Sequence, residues 1–164
     1  MKKFKINFKG RIKNFNLPEN KSLIPLFEAV VNSLQAIEER KKLNNFDGEI
    51  SIKIEREKTI SDDIIGRIEN IIIIDNGIGF NENNFNSFLE SDSDYKSEIG
   101  GKGVGRFSWL KAFKKVKIDS CFLNTGNYYR RIFDFTLEDD GINDELTLFD
   151  GDTPFTSVTL CSLA

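Results

Sequence analysis

A run of four isoleucines, residues 71–74, ends abruptly at Asp75-Asn76-Gly77 and constrains the fold more than any other feature of the chain. A short apolar stretch of β-branched residues is typical of a strand buried in the centre of a sheet. Asp-Asn-Gly is a turn sequence, because Asn and Gly tolerate the backbone angles that turns require. Asp75 is therefore either a turn former or the anchor of a ligand, and taken alone it favours the turn.

Helical spacing of apolar residues predicts a long helix over 22–43, with Ser22 as its N-cap. Two shorter helices are predicted over 81–90 and 104–113. In the long helix we expect one apolar stripe to face the core. The stripe consists of Leu23, Phe27, Val30, Leu34 and Ile37.

Alternation of polar and apolar residues predicts strands around the isoleucine run. In one of them, we expect Ile50, Ile52 and Ile54 to point inward. The predicted strands cover 3–9, 49–55, 115–123, 128–137, 145–149 and 155–161. This layout predicts an α+β fold, a two-layer α/β sandwich in which helices pack on one face of a mixed, mainly antiparallel sheet.

Composition narrows the classes of function. The 164 residues suit a single domain, and without a run of about 18 apolar residues we expect no membrane span. Residues 2–13 are basic but lack the apolar stretch of a signal peptide, so we expect a cytoplasmic protein. A net charge of −3 does not indicate a nucleic-acid partner. We expect Cys121 and Cys161 to be buried free thiols.

The chain contains no histidine, which excludes Ser-His-Asp and Cys-His catalysis and a phospho-accepting histidine. Six of the twelve glycines lie between residues 77 and 105. Those of residues 100–105 precede a predicted helix, and such a loop is a natural cradle for phosphate because free N–H groups and the helix dipole favour anions. A plain turn explains them equally well.

Two familiar phosphate motifs do not fit this loop. Lys102 is followed by Gly103 where a P-loop requires Ser or Thr. Residues 103–108 lack the third glycine of the dinucleotide fingerprint.

Glu28, Asn32 and Ala36 are spaced by four and lie along one stripe of the long helix. A partly exposed polar edge would account for them. In the functional interpretation, Asn32 offers its carbonyl oxygen to Mg²⁺ and Glu28, one turn away, holds a water.

Taken together, these pieces resemble one family. Residues 28–36 (EAVVNSLQA), 75–80 (DNGIGF) and 99–108 (IGGKGVGRFS) resemble the N box and the two glycine boxes of the GHKL superfamily. Its members include the gyrase B subunit, Hsp90, histidine kinases and MutL, with the MORC ATPases as relatives. The order and intervals of the boxes agree, and the resemblance extends from about residue 17 to residue 161.

The resemblance implies ATP and Mg²⁺ as cofactors and a role for each matching residue. Asp75 would bind the adenine amino group, Asn32 would coordinate Mg²⁺, and Glu28 would be the general base for water. Residues 81–103 would form the ATP lid. The implied nucleotide-binding residues are Asn32, Ala36, Asp75, Gly77, Gly79, Phe80, Gly101, Lys102, Gly103, Val104, Gly105 and Thr156.

The sequence also departs from the family pattern. Gln35 stands where the N box often has Asp, and Phe155 precedes Thr156 where a glycine is usual. The downstream transducer domain, which donates a lysine to the γ-phosphate in gyrase and MutL relatives, has no counterpart here. We expect residues 1–164 to form one ATP-binding domain, with residues 1–15 as an N-terminal strand or arm, at the start of a larger protein.

These observations predict Mg²⁺-dependent ATP binding and slow hydrolysis. One alternative is a non-hydrolysing switch in which ATP drives homodimerisation and signals to a transducer or effector domain. A histidine-kinase-type phosphotransfer domain is the other alternative, and Glu28 argues against it because sensor kinases typically carry Asn at that position.

Overall fold

The computed structural model describes residues 8–18, 21–61, 64–89, 105–138 and 142–163. The helices are α1 (Phe8–Asn14), α2 (Ile24–Lys41), α3 (Glu82–Leu89) and α4 (Gly105–Ala112). The strands are β1 (Ile50–Arg56), β2 (Ile68–Asp75), β3 (Phe113–Asn124), β4 (Asn127–Thr136), β5 (Asp144–Leu148) and β6 (Phe155–Leu163). In the described ranges, no helix is long and apolar enough to cross a membrane.

The described strands form one six-stranded sheet in the order β1-β2-β6-β3-β4-β5. All five described strand pairings are antiparallel, so the predicted α+β class is confirmed and the sheet is more regular than the expected mixed one. Because β6 inserts between β2 and β3, the last strand of the chain lies beside the isoleucine strand.

The inner face of the sheet carries apolar rows that run across the strands. Ile73, Val158, Ile118 and Phe133 are successive partners across β2, β6, β3 and β4. All are at most 5% exposed, and burial of each such side chain contributes about 1.5–3 kcal/mol to folding. Residues of all four helices pack on these rows. They are Ile12, Ala29, Phe85, Phe107, Trp109 and Leu110.

The isoleucine run is buried on one side only. Ile71 and Ile73 point into the core, whereas Ile74 faces the opposite side of the sheet and is 39% exposed. The expectation that Ile52 and Ile54 are inward is also wrong in part, since both are about half exposed. They are partners of Ile73 and Ile71 and lie in β1, an edge strand of the sheet.

The apolar stripe predicted for the long helix is wrong at most of its residues. Leu23, Phe27 and Leu34 are exposed, and Phe27 is 58% exposed, whereas Val30 is half-buried and Ile37 is buried as expected. The buried side of α2 consists of Pro25, Ala29, Ser33 and Ile37. Small residues on this side let the helix backbone approach the sheet closely, and this close approach determines which side of α2 is buried.

Two further boundaries differ from expectation. The N-cap of α2 is Leu23 and not the predicted Ser22, and its side chain makes no capping hydrogen bond. A proline occupies the first turn, where its missing N–H costs nothing. The chain is helical from Phe8, so the strand predicted over 3–9 is wrong at residues 8 and 9. The remainder of that strand and most of the predicted lid lie outside the described residues.

Candidate functional site

A row of polar side chains interrupts the apolar inner face at one end of the sheet. Asp75, Thr156, Ser120 and Arg131 are successive partners across β2, β6, β3 and β4. We call these four residues the polar row. All four are buried, and buried polar groups persist only where hydrogen bonds satisfy them.

Asp75 ends β2 and is 3% exposed. Its Oδ1 accepts a hydrogen bond of 2.9 Å from the backbone N–H of Gly77, and the Ser33 hydroxyl of α2 donates to the same carboxylate. Burial raises the pKa of Asp75, and these two hydrogen bonds oppose that rise by favouring the charged form. A buried carboxylate with lone pairs still available is suited to accept a hydrogen bond from a ligand.

Gly77 allows the chain after β2 to pass directly over α2. A Cβ at this position would lie 2.7 Å from both the carbonyl carbon and the Cβ of Ala36. The next residue, Ile78, donates its N–H to the Ala36 carbonyl at 3.0 Å. Gly77 and Ala36 must therefore both be small. This contact joins the loop after Asp75 to the stripe of α2 that carries Glu28, Asn32 and Ala36.

Gly79 has φ of +81°, a conformation that side chains rarely adopt. A Cβ there would also lie 2.5 Å from the carbonyl oxygen of Cys121. The following peptide groups are fixed from two sides. The Phe80 N–H donates to Ser120 Oγ at 2.9 Å, and the Phe80 carbonyl accepts from Arg131 Nη1 at 2.9 Å.

Arg131 connects this loop to its surroundings although its side chain is 2% exposed. Its Nε lies 2.9 Å from Asp144 Oδ2 on β5, and its Nη2 donates to Glu82 in the first turn of α3. The guanidinium also lies 4.3 Å from the centre of the Phe85 ring. A buried cation with two carboxylate partners and a carbonyl is well compensated, and breaking such a set is costly.

The two hydroxyls of the polar row bond to each other. Ser120 Oγ lies 2.9 Å from Thr156 Oγ1 and 2.9 Å from the carbonyl oxygen of Phe155. Because Thr156 is also the direct partner of Asp75, its hydroxyl lies beside the carboxylate on the same face of the sheet.

A second cluster forms where α2 meets the start of α4. The position that a Cβ of Gly105 would occupy lies 2.0 Å from Glu28 Oε2. Only glycine leaves room for this carboxylate at the first residue of α4. The two helices are joined nearby, since Trp109 Nε1 donates to the Pro25 carbonyl at 2.9 Å.

Burial of the Glu28 side chain raises the pKa of its carboxyl. The N-terminal turn of α4 counters this by favouring negative charge. A half-buried carboxylate at a helix N-terminus combines raised basicity with access to solvent. This combination suits a group that takes up a proton from water.

Asn32 follows Glu28 by one turn of α2 and is half-buried. No group of three or more His, Cys, Asp or Glu able to hold a metal occurs among the described residues. Of the residues predicted for the second glycine box, Gly105 is described, whereas Gly101, Lys102, Gly103 and Val104 lie outside the described residues. Arg106 ties α4 to α3, with its Nη1 donating to the Ser87 carbonyl at 3.4 Å.

Three residues that contribute to this arrangement were missed in the sequence, namely Ser33, Ser120 and Arg131. Ser33 could have been found from the stripe of small residues Ala29, Ser33 and Ala36 at helical spacing. Ser120 and Arg131 carry no comparable local signal, because only the register of β3 with β4 and β6 brings them to the site.

Comparison with known proteins identifies the fold. No family model matches the sequence, and no curated protein matches it. The structure is similar to the ATPase region of Saccharomyces cerevisiae topoisomerase II, with a TM-score of 0.57 and 16% identity over 89% of this chain and 39% of that chain. For the same region bound to ICRF-187 (dexrazoxane), the TM-score is 0.56 and the identity 16%, over 85% of this chain and 37% of that chain. This chain thus spans less than two fifths of the length of either structure.

Proposed function

From the premise that the chain has the GHKL ATPase fold, we propose that it binds ATP together with Mg²⁺ and hydrolyses it slowly. The observation that carries the proposal is the contact between Glu28 and Gly105. It brings the N box of α2 against the end of the second glycine box. A carboxylate and the end of the proposed phosphate-binding loop meet there, as water activation beside a phosphate requires.

Asp75, Gly77, Gly79, Phe80 and Thr156 form what we call the base end of the site. We assign Asp75 to the adenine amino group, since its buried carboxylate accepts hydrogen bonds. Gly77 and Gly79 let the backbone lie close to the base. Thr156, the strand partner of Asp75, supports the same edge of the base, and Ala36 makes room for the loop.

Glu28, Asn32 and Gly105 form what we call the phosphate end. Asn32 would hold Mg²⁺ through its side-chain oxygen, and the other ligands would be phosphate oxygens and water, because Mg²⁺ usually takes few protein ligands at such sites. The side-chain oxygens of Glu28 and Asn32 on α2 are of the type that Mg²⁺ prefers. When bound, Mg²⁺ supplies neutralisation of the charge on the phosphates.

We assign to Glu28 the orientation of the attacking water and the removal of its proton. Its raised pKa makes the carboxylate a better base than an exposed glutamate. The Mg²⁺-bound triphosphate would be wrapped by residues 101–105, with Lys102 as a candidate phosphate contact, and covered by the lid at 81–103. Hydrolysis is expected to be slow for two reasons. The lid must close before the reaction, and the lysine that a transducer domain supplies in gyrase and MutL relatives would be needed for fast turnover.

The proposal extends to a cytoplasmic protein in which ATP binding is coupled to homodimerisation and to a downstream transducer or effector domain. The chain covers 37% of the length of the topoisomerase II ATPase region, so these partners are part of the proposal alone. Nucleic acid and membrane are not proposed as partners of this domain.

The experiment measures phosphate release from ATP, with Mg²⁺ and with EDTA, for the wild type and Glu28→Gln. We expect Glu28→Gln to lower turnover by about 10²–10⁴-fold, the usual contribution of a general base, and to leave the Kd for ATP unchanged. Glu38→Gln is the matched control, because Glu38 lies on the same helix with an exposed side chain. Equal turnover in Glu28→Gln and the wild type would contradict the role of Glu28. A wild type that binds ATP without releasing phosphate would favour the dimerisation switch.

A further inference from the structure

The hydrogen bonds of Ser120 restrict what the base end can offer to a ligand. A serine hydroxyl has one proton to donate and two lone pairs that accept. Its neighbour at 2.9 Å, the Phe155 carbonyl, can only accept, so the Ser120 proton is used there. The Phe80 N–H can only donate, and it occupies one lone pair of Ser120 Oγ.

The remaining bond, between Ser120 and Thr156, must therefore be donated by Thr156. This bond takes the only hydroxyl proton of Thr156, so Thr156 can present only lone pairs to a ligand. Its strand partner Asp75, when ionised, is also an acceptor and already accepts hydrogen bonds from the Gly77 N–H and the Ser33 hydroxyl. The two groups together form an edge that accepts hydrogen bonds and donates none.

We propose that Ser120 is a positioning residue for base selectivity: by holding the Thr156 hydroxyl as an acceptor, it makes the site select purines with a 6-amino group over purines with a 6-oxo group. This inference rests on the proposed binding of ATP. A 6-amino group has two N–H donors for this edge. A 6-oxo group would place lone pairs against lone pairs, a mismatch that leaves buried polar groups unpaired.

Ser120 also fixes the end of the loop through the Phe80 N–H, so loss of Ser120 could weaken nucleotide binding in general. The ratio of the affinities for two purine nucleotides distinguishes this structural role from the positioning role. A purely structural role predicts equal weakening for every purine nucleotide, whereas the positioning role predicts a change in the ratio of two affinities. ATP and inosine triphosphate are suitable probes, because they differ at position 6 of the base.

The test measures Kd for ATP and for inosine triphosphate with Mg²⁺, in the wild type, Ser120→Ala and Ser120→Cys. We expect the wild type to prefer ATP by about tenfold or more. In both variants the Thr156 hydroxyl becomes free to donate to a 6-oxo group, because alanine offers no acceptor and a thiol only a weak one. The preference should fall by about three- to tenfold, roughly the value of one hydrogen bond.

Ser157→Ala is the control, since Ser157 lies next to Thr156 on the opposite face of β6. This variant should prefer ATP over inosine triphosphate by the same factor as the wild type. An unchanged ratio in a folded Ser120 variant would overturn the proposal, even if both affinities fall together. Ser120→Cys, which keeps nearly the same volume, decides the question should Ser120→Ala not fold. Failure of the wild type to bind either nucleotide would instead contradict the proposed function.

Discussion

The base end and the phosphate end of the site both depend on a glycine, but the two glycines are restricted by different surroundings. At Gly79 an added Cβ would meet the backbone carbonyl oxygen of Cys121 at 2.5 Å, and φ is +81°. At Gly105 it would meet the far end of the flexible Glu28 side chain at 2.0 Å. Backbone cannot move aside cheaply, whereas a side-chain terminus can.

Because of this difference, we expect glycine substitutions at the base end to affect folding stability and glycine substitutions at the phosphate end to affect turnover. The loop of the base end is held by hydrogen bonds to the backbone of Gly77 and Phe80, so changes that displace this backbone should lower folding stability as well as nucleotide affinity. At the phosphate end, the position of Glu28 depends on the space that Gly105 leaves. Changes there should alter turnover while the fold remains intact.

Among the substitutions that compare the two ends, the largest effect on ATP affinity is expected for Asp75→Asn, which should weaken binding by about 10–100-fold, the value of a charge-assisted hydrogen bond. Stability should not fall. Burial raises the pKa of Asp75, so the folded chain binds the proton more tightly than the unfolded chain does, and above both pKa values the charged carboxylate costs folding free energy. Asparagine removes that charge. Calorimetric titration and thermal unfolding measure the two effects.

Asp150→Asn serves as the control for this change, because Asp150 is exposed on the loop before β6. It should leave both Kd and Tm at the wild-type values. An Asp75→Asn protein that binds ATP normally would remove Asp75 from the base end.

Gly79→Ala should be the more destabilising of the two glycine substitutions. A non-glycine residue at positive φ costs about 1–2 kcal/mol, and the contact with the Cys121 carbonyl adds to this cost. Urea unfolding should show a lower midpoint with an unchanged slope. An unaltered midpoint would mean that the loop is not fixed as the structure indicates.

Gly105→Ala should leave the urea midpoint close to the wild-type value, since the added Cβ would meet the flexible end of the Glu28 side chain. Turnover should fall by about 10–100-fold, because Glu28 must move and displacement of a catalytic group by about 1 Å is enough for such a loss. ATP affinity should change little. A Gly105→Ala variant with normal turnover and a lower urea midpoint would contradict this account, because it would show that Gly105 serves stability and not the position of Glu28.

The smallest effect concerns pH. Burial raises the pKa of both Asp75 and Glu28, and both carboxyls act in the charged form. As pH falls, each is protonated at a higher pH than an exposed carboxyl. Protonation of Asp75 should weaken ATP affinity, and protonation of Glu28 should lower turnover at saturating ATP. Both quantities should therefore begin to fall at a higher pH than they would if exposed carboxyls carried these roles. Profiles that stay flat down to the pKa of exposed carboxyls would contradict this account.

The features found from the sequence are those encoded in short stretches of chain. The order of strands and helices, and the glycines that follow Asp75, depend on local patterns and turn chemistry. Ser120 and Arg131 depend on register between strands distant in sequence. The sheet order itself, with β6 between β2 and β3, is likewise a tertiary property.

The orientation of α2 shows why hydrophobicity alone misleads. Phe27 and Leu34 are more apolar than Ala29 and Ser33, yet they are exposed. The Gly77 loop approaches α2 so closely that an added Cβ on Gly77 would lie 2.7 Å from Ala36. On this side the helix buries the small residues Ala29 and Ser33 beside Ile37, and close packing outweighs the apolar area of the exposed larger residues.

Titration of the wild-type chain with ATP at neutral pH, with Mg²⁺ and with EDTA, tests the central claim most directly. The account predicts saturable binding with one ATP per chain, weakened when Mg²⁺ is removed. An absence of Mg²⁺-dependent binding at millimolar ATP, in protein that unfolds cooperatively and is therefore folded, would contradict it.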